Sequence, residues 1–159
     1  LFDEHRGLAT DADAVEAALW LHDAIYDPAR DDNEAESAAL ARRMLQSASV
    51  DDARIARIEA LILETRHLAA PHDTDARLVC DIDLAILGAD DARFDEYERD
   101  IRREHAFVPD AAFRAARAAV LERFLERSAI YTTPALHARF EERARSNLAR
   151  SLHALRSGG

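Results

Sequence analysis

The chain has 159 residues, a formal net charge of −10 and only four glycines and four prolines. That length supports one domain burying roughly two thirds of its unfolded surface, while the acidic balance argues against nucleic-acid polymers and anionic membrane surfaces, which both select a basic face. All 21 basic residues are arginine, which excludes lysine Schiff bases and a phosphate-loop lysine; the lone Cys80 excludes an intrachain disulfide and fits a reducing cytoplasm.

Strand-like alternation is nearly absent, so we expect an all-α protein, a single-domain bundle of about seven helices. A helix ends near Arg6. The others are predicted from Asp11 to Tyr26, Asn33 to Gln46, Asp51 to His67, Asp75 to Leu87, Ala92 to His105, Asp110 to Arg127 and Pro134 to Leu155. Loops around Pro28, Pro71, Gly88, Pro109 and Tyr131 to Thr133 separate them, and Asp110 and Thr133 are expected N-caps. Residues Ser157 to Gly159 read as a disordered tail. No apolar run approaches the roughly 20 residues that span a bilayer.

The helix predicted from Asp11 carries the most informative pair. Val15, Ala18, Leu19, Leu21, Ile25 and Tyr26 recur at helical period and form its buried side. His22 follows Ala18 by four positions and Leu19 by three, so its ring projects from that side, and Asp23 stands at the edge of the same stripe. A lone core histidine or a capping aspartate is the usual explanation for either residue. Side by side, about 100° apart, they can converge on one ion in the groove beside the helix. Imidazole with carboxylate suits manganese, magnesium, iron, zinc, cobalt or nickel.

Asp27 sits at the predicted C-terminal end of that helix, where a negative charge opposes the helix dipole, which makes it a candidate acid or base. Asn33 and Glu36 have the spacing of a capping box, placing Glu34 and Ser37 in the first turn of the next helix, where they can order water or substrate. His67 ends the helix built on Ile55, Ile58, Leu61 and Ile62, where a cap on the terminal carbonyls is the simplest role. Phe113, Val120, Leu121, Phe124 and Leu125, then Leu136, Phe140, Ala144, Leu148 and Leu152, have core spacing.

The run Leu21-His22-Asp23-Ala24-Ile25-Tyr26-Asp27-Pro28, with Asp32-Asn33-Glu34 and Ser37, resembles the HD superfamily of metal-dependent phosphohydrolases, in particular its small bacterial branch. Ile62-Leu63-Glu64-Thr65-Arg66-His67, Asp81-Ile82-Asp83-Leu84-Ala85-Ile86-Leu87-Gly88 and Asn147-Leu148-Ala149-Arg150 extend the likeness over nearly the whole chain.

The resemblance implies a helical HD-type domain over 1–156 and a divalent metal ion held by His22, Asp23 and a distant aspartate. Asp83 is preferred over Asp81 for that aspartate, because it lies nearer the apolar sector and precedes a leucine. The family's first metal histidine belongs upstream of Leu1, in a segment this chain is expected to lack; His5 reads as surface. By the same resemblance, His67 contacts a second ion or the substrate phosphate, and Arg114 and Arg117 are candidate phosphate ligands unless they serve as ion pairs. The implied reaction is hydrolysis of a phosphoester, a nucleotide among the candidates, by metal-activated water, with Asp23 orienting the water and Asp27 or Glu34 moving its proton. The implied partner is a small phosphorylated molecule. A sensor that binds such a ligand without turnover, or an interaction module with a vestigial site, are the competing readings.

Overall fold

The computed structural model describes residues 1–157 and contains eight α-helices with no strand among them. It divides into two compact units, Leu1–Asp83 and Leu84–Gly159. Among the described residues, no helix is long and apolar enough to cross a membrane.

The first unit runs α1 (Phe2–His5), a 3-10 turn (Arg6–Leu8), α2 (Ala12–Leu21), α3 (Asn33–Ser47), α4 (Asp52–Glu64) and α5 (Thr74–Asp83). Aspartates start three of these helices by accepting an otherwise unpaired backbone N–H: Asp11 from Ala14, Asp51 from Arg54 and Asp73 from Ala76. Helix α2 packs on α4 and α5, and α3 on α4. Their shared core is Ala14, Val15 and Ala18 with Ile55, Ile58, Leu61, Ile62, Leu78 and Val79. The alanines let the backbones approach closely, and the branched residues fill the space left. Asp75 is buried and receives the backbone N–H groups of Thr10 and Asp11 at 2.6 and 3.2 Å, with Arg57 Nη2 at 2.9 Å, tying the start of α2 to α5.

The second unit runs a 3-10 segment (Leu84–Gly88), α6 (Asp91–Glu104), α7 (Asp110–Leu125) and α8 (Pro134–Ser157). Leu84, Leu87, Phe94, Leu121, Ile130, Tyr131, Leu136 and Leu148 make its core. Asn147 is buried and donates from Nδ2 to the carbonyls of Leu87 and Ala89, both at 2.9 Å, while the Tyr131 hydroxyl donates to Leu84 O at 2.9 Å. These bonds satisfy carbonyls that the 3-10 segment leaves open. Gly88 has no room for a side chain, since a Cβ there would lie 2.7 Å from Phe140 Cβ.

Several boundaries differ from expectation. Helix α2 stops at Leu21, so the apolar stripe does not continue to Tyr26, which is exposed. The helix predicted from Asp75 to Leu87 changes at Asp83 into the tighter 3-10 segment. Helix α4 ends at Glu64, three residues short of His67. Asn33 opens α3 as its first residue without forming a capping box, because its side chain bridges the N–H and C=O of Asp27 instead. Pro109, not Asp110, stands at the N-cap of α7, with no side-chain bond. Helix α8 begins at Pro134 as expected, and Ser157, placed in the tail by sequence, is its last residue; 158 and 159 lie outside the described residues.

Candidate functional site

Three elements of the first unit bring His22, Asp83 and His67 together. His22 is the C-cap of α2 in right-handed helical geometry, its N–H bonded to Ala18 O, so the ring leaves the helix on the buried side without needing another helical turn. Asp83 is the last residue of α5. His67 follows the end of α4 with φ of 53°, in the left-handed region that non-glycine residues rarely enter. The preceding N–H groups of Thr65 and Arg66 bond three residues back, to Ile62 O and Leu63 O, and the His67 N–H bonds to Glu64 O. This tightened end turns the chain so that the imidazole faces α5.

The contacts are direct. His22 Nε2 lies 3.2 Å from Asp83 Oδ1, and His67 Nε2 lies 2.7 Å from Asp83 Oδ2. Asp23 Oδ2 is 3.4 Å from His22 Nε2, although the Asp23 side chain is 63% exposed, against 17% for His22. His22 Nδ1 donates to Leu19 O at 2.9 Å, which fixes the ring's orientation and commits Nε2 to Asp83. The hydrogen bond to Asp83 raises the His22 pKa to about 9 against the opposing effect of burial. Burial acts to raise the Asp83 pKa, but hydrogen bonds from His22 and His67 outweigh it and hold the carboxyl at about 2. The Asp83 carboxylate is therefore held between two imidazole N–H groups.

Asp81 is buried on the same helix two residues earlier. Asp27 is exposed and accepts the Ala29 N–H on Oδ1 at 2.9 Å, so one of its carboxylate oxygens serves its own turn. Ser37, in α3, gives and takes hydrogen bonds with the backbone of Ile25, at 3.2 and 3.0 Å. That joins α3 to the loop after His22, and Glu34 lies one turn before Ser37 on the same side of α3. Cys80 is buried, with Sγ donating to Glu64 O, an environment that suits packing better than nucleophilic attack.

The two candidate phosphate arginines belong to the second unit. Arg117 forms a mostly buried ion pair with Glu98, which also accepts the Ser151 hydroxyl at 2.8 Å. Arg114 pairs loosely with Asp110 at 3.6 Å. Sequence reasoning also weighed a surface ion pair for each; the Arg114 pair is partly exposed, whereas the Arg117–Glu98 pair is mostly buried.

Two features had escaped the sequence reading. The left-handed backbone at His67 is not marked by glycine, and histidine enters that region often enough to signal it only weakly. Trp20, one position before the end of α2, is 79% exposed on a cleft that also borders His22 and Asp83.

The donor chemistry suits a borderline divalent ion. Two imidazoles and one or two carboxylates converge, and the Nδ1 bond of His22 to a backbone carbonyl is the support that metal-bound histidines usually have. Among the described residues, however, no three His, Cys, Asp or Glu side chains stand around a common coordination point; here the donors close on one another. A scan against family models and searches of curated proteins and of solved structures return no match.

Proposed function

We propose that the chain is an HD-type helical protein that hydrolyses a phosphoester at the His22–Asp83 site with the help of a divalent metal ion. One observation carries the reading. Residues separated by more than sixty positions, His22 and Asp83, meet within hydrogen-bonding distance, and the second imidazole, His67, reaches the same carboxylate. These positions also carry the resemblance to HD phosphohydrolases. His67 reaches that carboxylate from a left-handed backbone just past the end of α4.

In this reading His22, Asp23 and Asp83 would hold the ion. When bound, the ion lowers the pKa of water and neutralises phosphoryl charge. His67, released from Asp83, donates from Nε2 to a phosphoryl oxygen. Asp23, the most solvent-accessible of the group, orients the attacking water. Glu34 receives its proton in preference to Asp27, whose carboxylate is partly committed to Ala29. The protein is expected in the cytoplasm, with a small phosphorylated molecule as its partner.

The test is metal analysis of the purified chain after equilibration with each candidate ion, with hydrolysis measured on phosphomonoesters, nucleotides and cyclic dinucleotides. Metal retention and metal-dependent phosphate release are expected. Both should fall about a hundredfold in His22→Ala and Asp83→Asn with folding intact. Tight binding of a nucleotide with no turnover would assign a sensor instead, and neither metal nor ligand would leave an interaction module.

A further inference from the structure

A cleft of about 510 Å3 in the first unit borders both His22 and Asp83. A phosphate held by that pair must place its ester substituent in adjoining space, and a volume of this order is that of small-molecule sites. Phe2, Leu19 and Ile82 supply apolar walls, and Trp20 lines the same space with most of its indole in solvent. Among the described residues Trp20 makes no hydrogen bond and no ring or cation contact, so its π-surface is unused within the unit.

Charge does not choose the guest. Arg6 is paired with Glu16 and acts on Asp3 as well, while His22 and His67 answer Asp83, so no carboxylate on the rim stands alone. The apolar walls and the free indole remain to select. A saturated group would gain only by leaving water for those walls. A neutral planar ring gains the same burial and adds offset stacking or edge-to-face contact with the indole, which favours it over an equally apolar saturated ring.

We propose that the cleft receives a neutral planar ring stacked on Trp20, so that the site takes phosphomonoesters whose alcohol carries an aromatic ring in preference to those carrying a saturated ring of the same size. Trp20 is then the residue that sets this specificity. The ester class rests on the phosphohydrolase reading, whereas the ring-binding cleft is read independently of it.

Trp20 is the chain's only tryptophan, so a single indole N–H signal in a proton–nitrogen correlation spectrum reports on the cleft, with the Ile82 amide as a second probe. The whole chain is titrated, without added metal, with benzyl alcohol and with cyclohexylmethanol. Both alcohols are uncharged and the second is the more apolar, so burial alone favours cyclohexylmethanol. Benzyl alcohol should instead shift both probes with half-saturation at a concentration about fivefold lower. Trp20→Leu should abolish that preference at Ile82, and Trp20→Phe should keep part of it. Because the side chain stands largely in solvent, both variants should fold. No saturable shift with either alcohol, an equal or reversed preference, or a preference that survives in a folded Trp20→Leu protein would overturn the proposal.

A second arm measures phosphate release from benzyl phosphate and cyclohexylmethyl phosphate with metal present. Both leaving groups are primary alcohols, so a higher kcat/KM for the benzyl ester, lost in Trp20→Leu, supports the ester class. Equal turnover with no ring preference in the spectra removes the cleft assignment and keeps the hydrolase, whereas a ring preference with neither these esters nor any nucleotide hydrolysed does the reverse.

Discussion

His67 Nε2 lies 2.7 Å from Asp83 Oδ2 even though the His67 backbone holds φ of 53°. A side chain in that left-handed region costs about 1 kcal/mol relative to glycine. The left-handed residue follows directly on the tightened end of α4, and together they aim the ring at the end of α5. Strain and contact are thus two aspects of one local arrangement, which lets them be separated by substitution.

His67→Ala and His67→Gly both delete the imidazole, but only glycine relaxes the backbone. Urea denaturation should find His67→Gly more stable than His67→Ala by about 1 kcal/mol. Both should retain metal yet release phosphate at least about tenfold more slowly, since in the proposed reading His67 acts on the phosphoryl oxygen and not on the ion. Equal stability of the two variants would show that the backbone at 67 relaxes without cost.

Arg117 distinguishes a structural ion pair from a phosphate ligand. Its charge and that of Glu98 are largely withdrawn from water, so Arg117→Met should destabilise the fold by about 3 kcal/mol by stranding the carboxylate. Adding Glu98→Gln should recover much of that loss in a thermal or chemical melt. A phosphate-binding Arg117 would instead leave stability nearly unchanged and weaken ligand binding.

The Arg57–Asp73 pair should make stability fall in acid. A hydrogen bond from Arg57 lowers the Asp73 pKa from 3.8 to about 2, so the stabilisation is complete above pH 3.8 and disappears as pH falls through 2. A shift of that size in a dry site would correspond to about 2.5 kcal/mol; because Asp73 touches solvent, about 1 kcal/mol is expected. Asp73→Asn should flatten the stability profile between pH 4 and 2 by that amount, measured as the urea midpoint at each pH.

Gly88→Ala should cost about 1–3 kcal/mol, because the added methyl meets Phe140 Cβ at 2.7 Å and Phe140 O at 3.0 Å. Phe140→Ala should not rescue it, since those two atoms remain. Thermal melts of the single and double variants check both statements.

Helical periodicity located every long helix, because the core positions on α2, α4, α5 and α8 are spaced by the backbone geometry itself. Boundaries were less legible where side chains beyond the local window decide them. Asn33 looks like a capping residue until Asp27 takes both ends of its amide. The 3-10 segment after Asp83 depends on Tyr131 and Asn147, which lie far along the chain. At the site, the family resemblance drew attention to His22 and Asp83 together, and their side chains stand 3.2 Å apart. The convergence of His67 on the same oxygen pair did not follow from spacing, because a left-handed turn breaks the period on which spacing arguments rest.

The loop that follows the His22–Asp23 doublet is suspended from α3 by two reciprocal pairs of bonds, Ser37 with the backbone of Ile25 and Asn33 with that of Asp27. An amide that bonds in this way must break its clamp before it can exchange with solvent, so Ile25 and Asp27 should exchange deuterium slowly for residues outside any helix. The ordering of this rim was completed when the chain folded. A ligand arriving there meets a surface already shaped, and the entropy that other proteins lose in closing a floppy loop over their guest is not subtracted from its affinity.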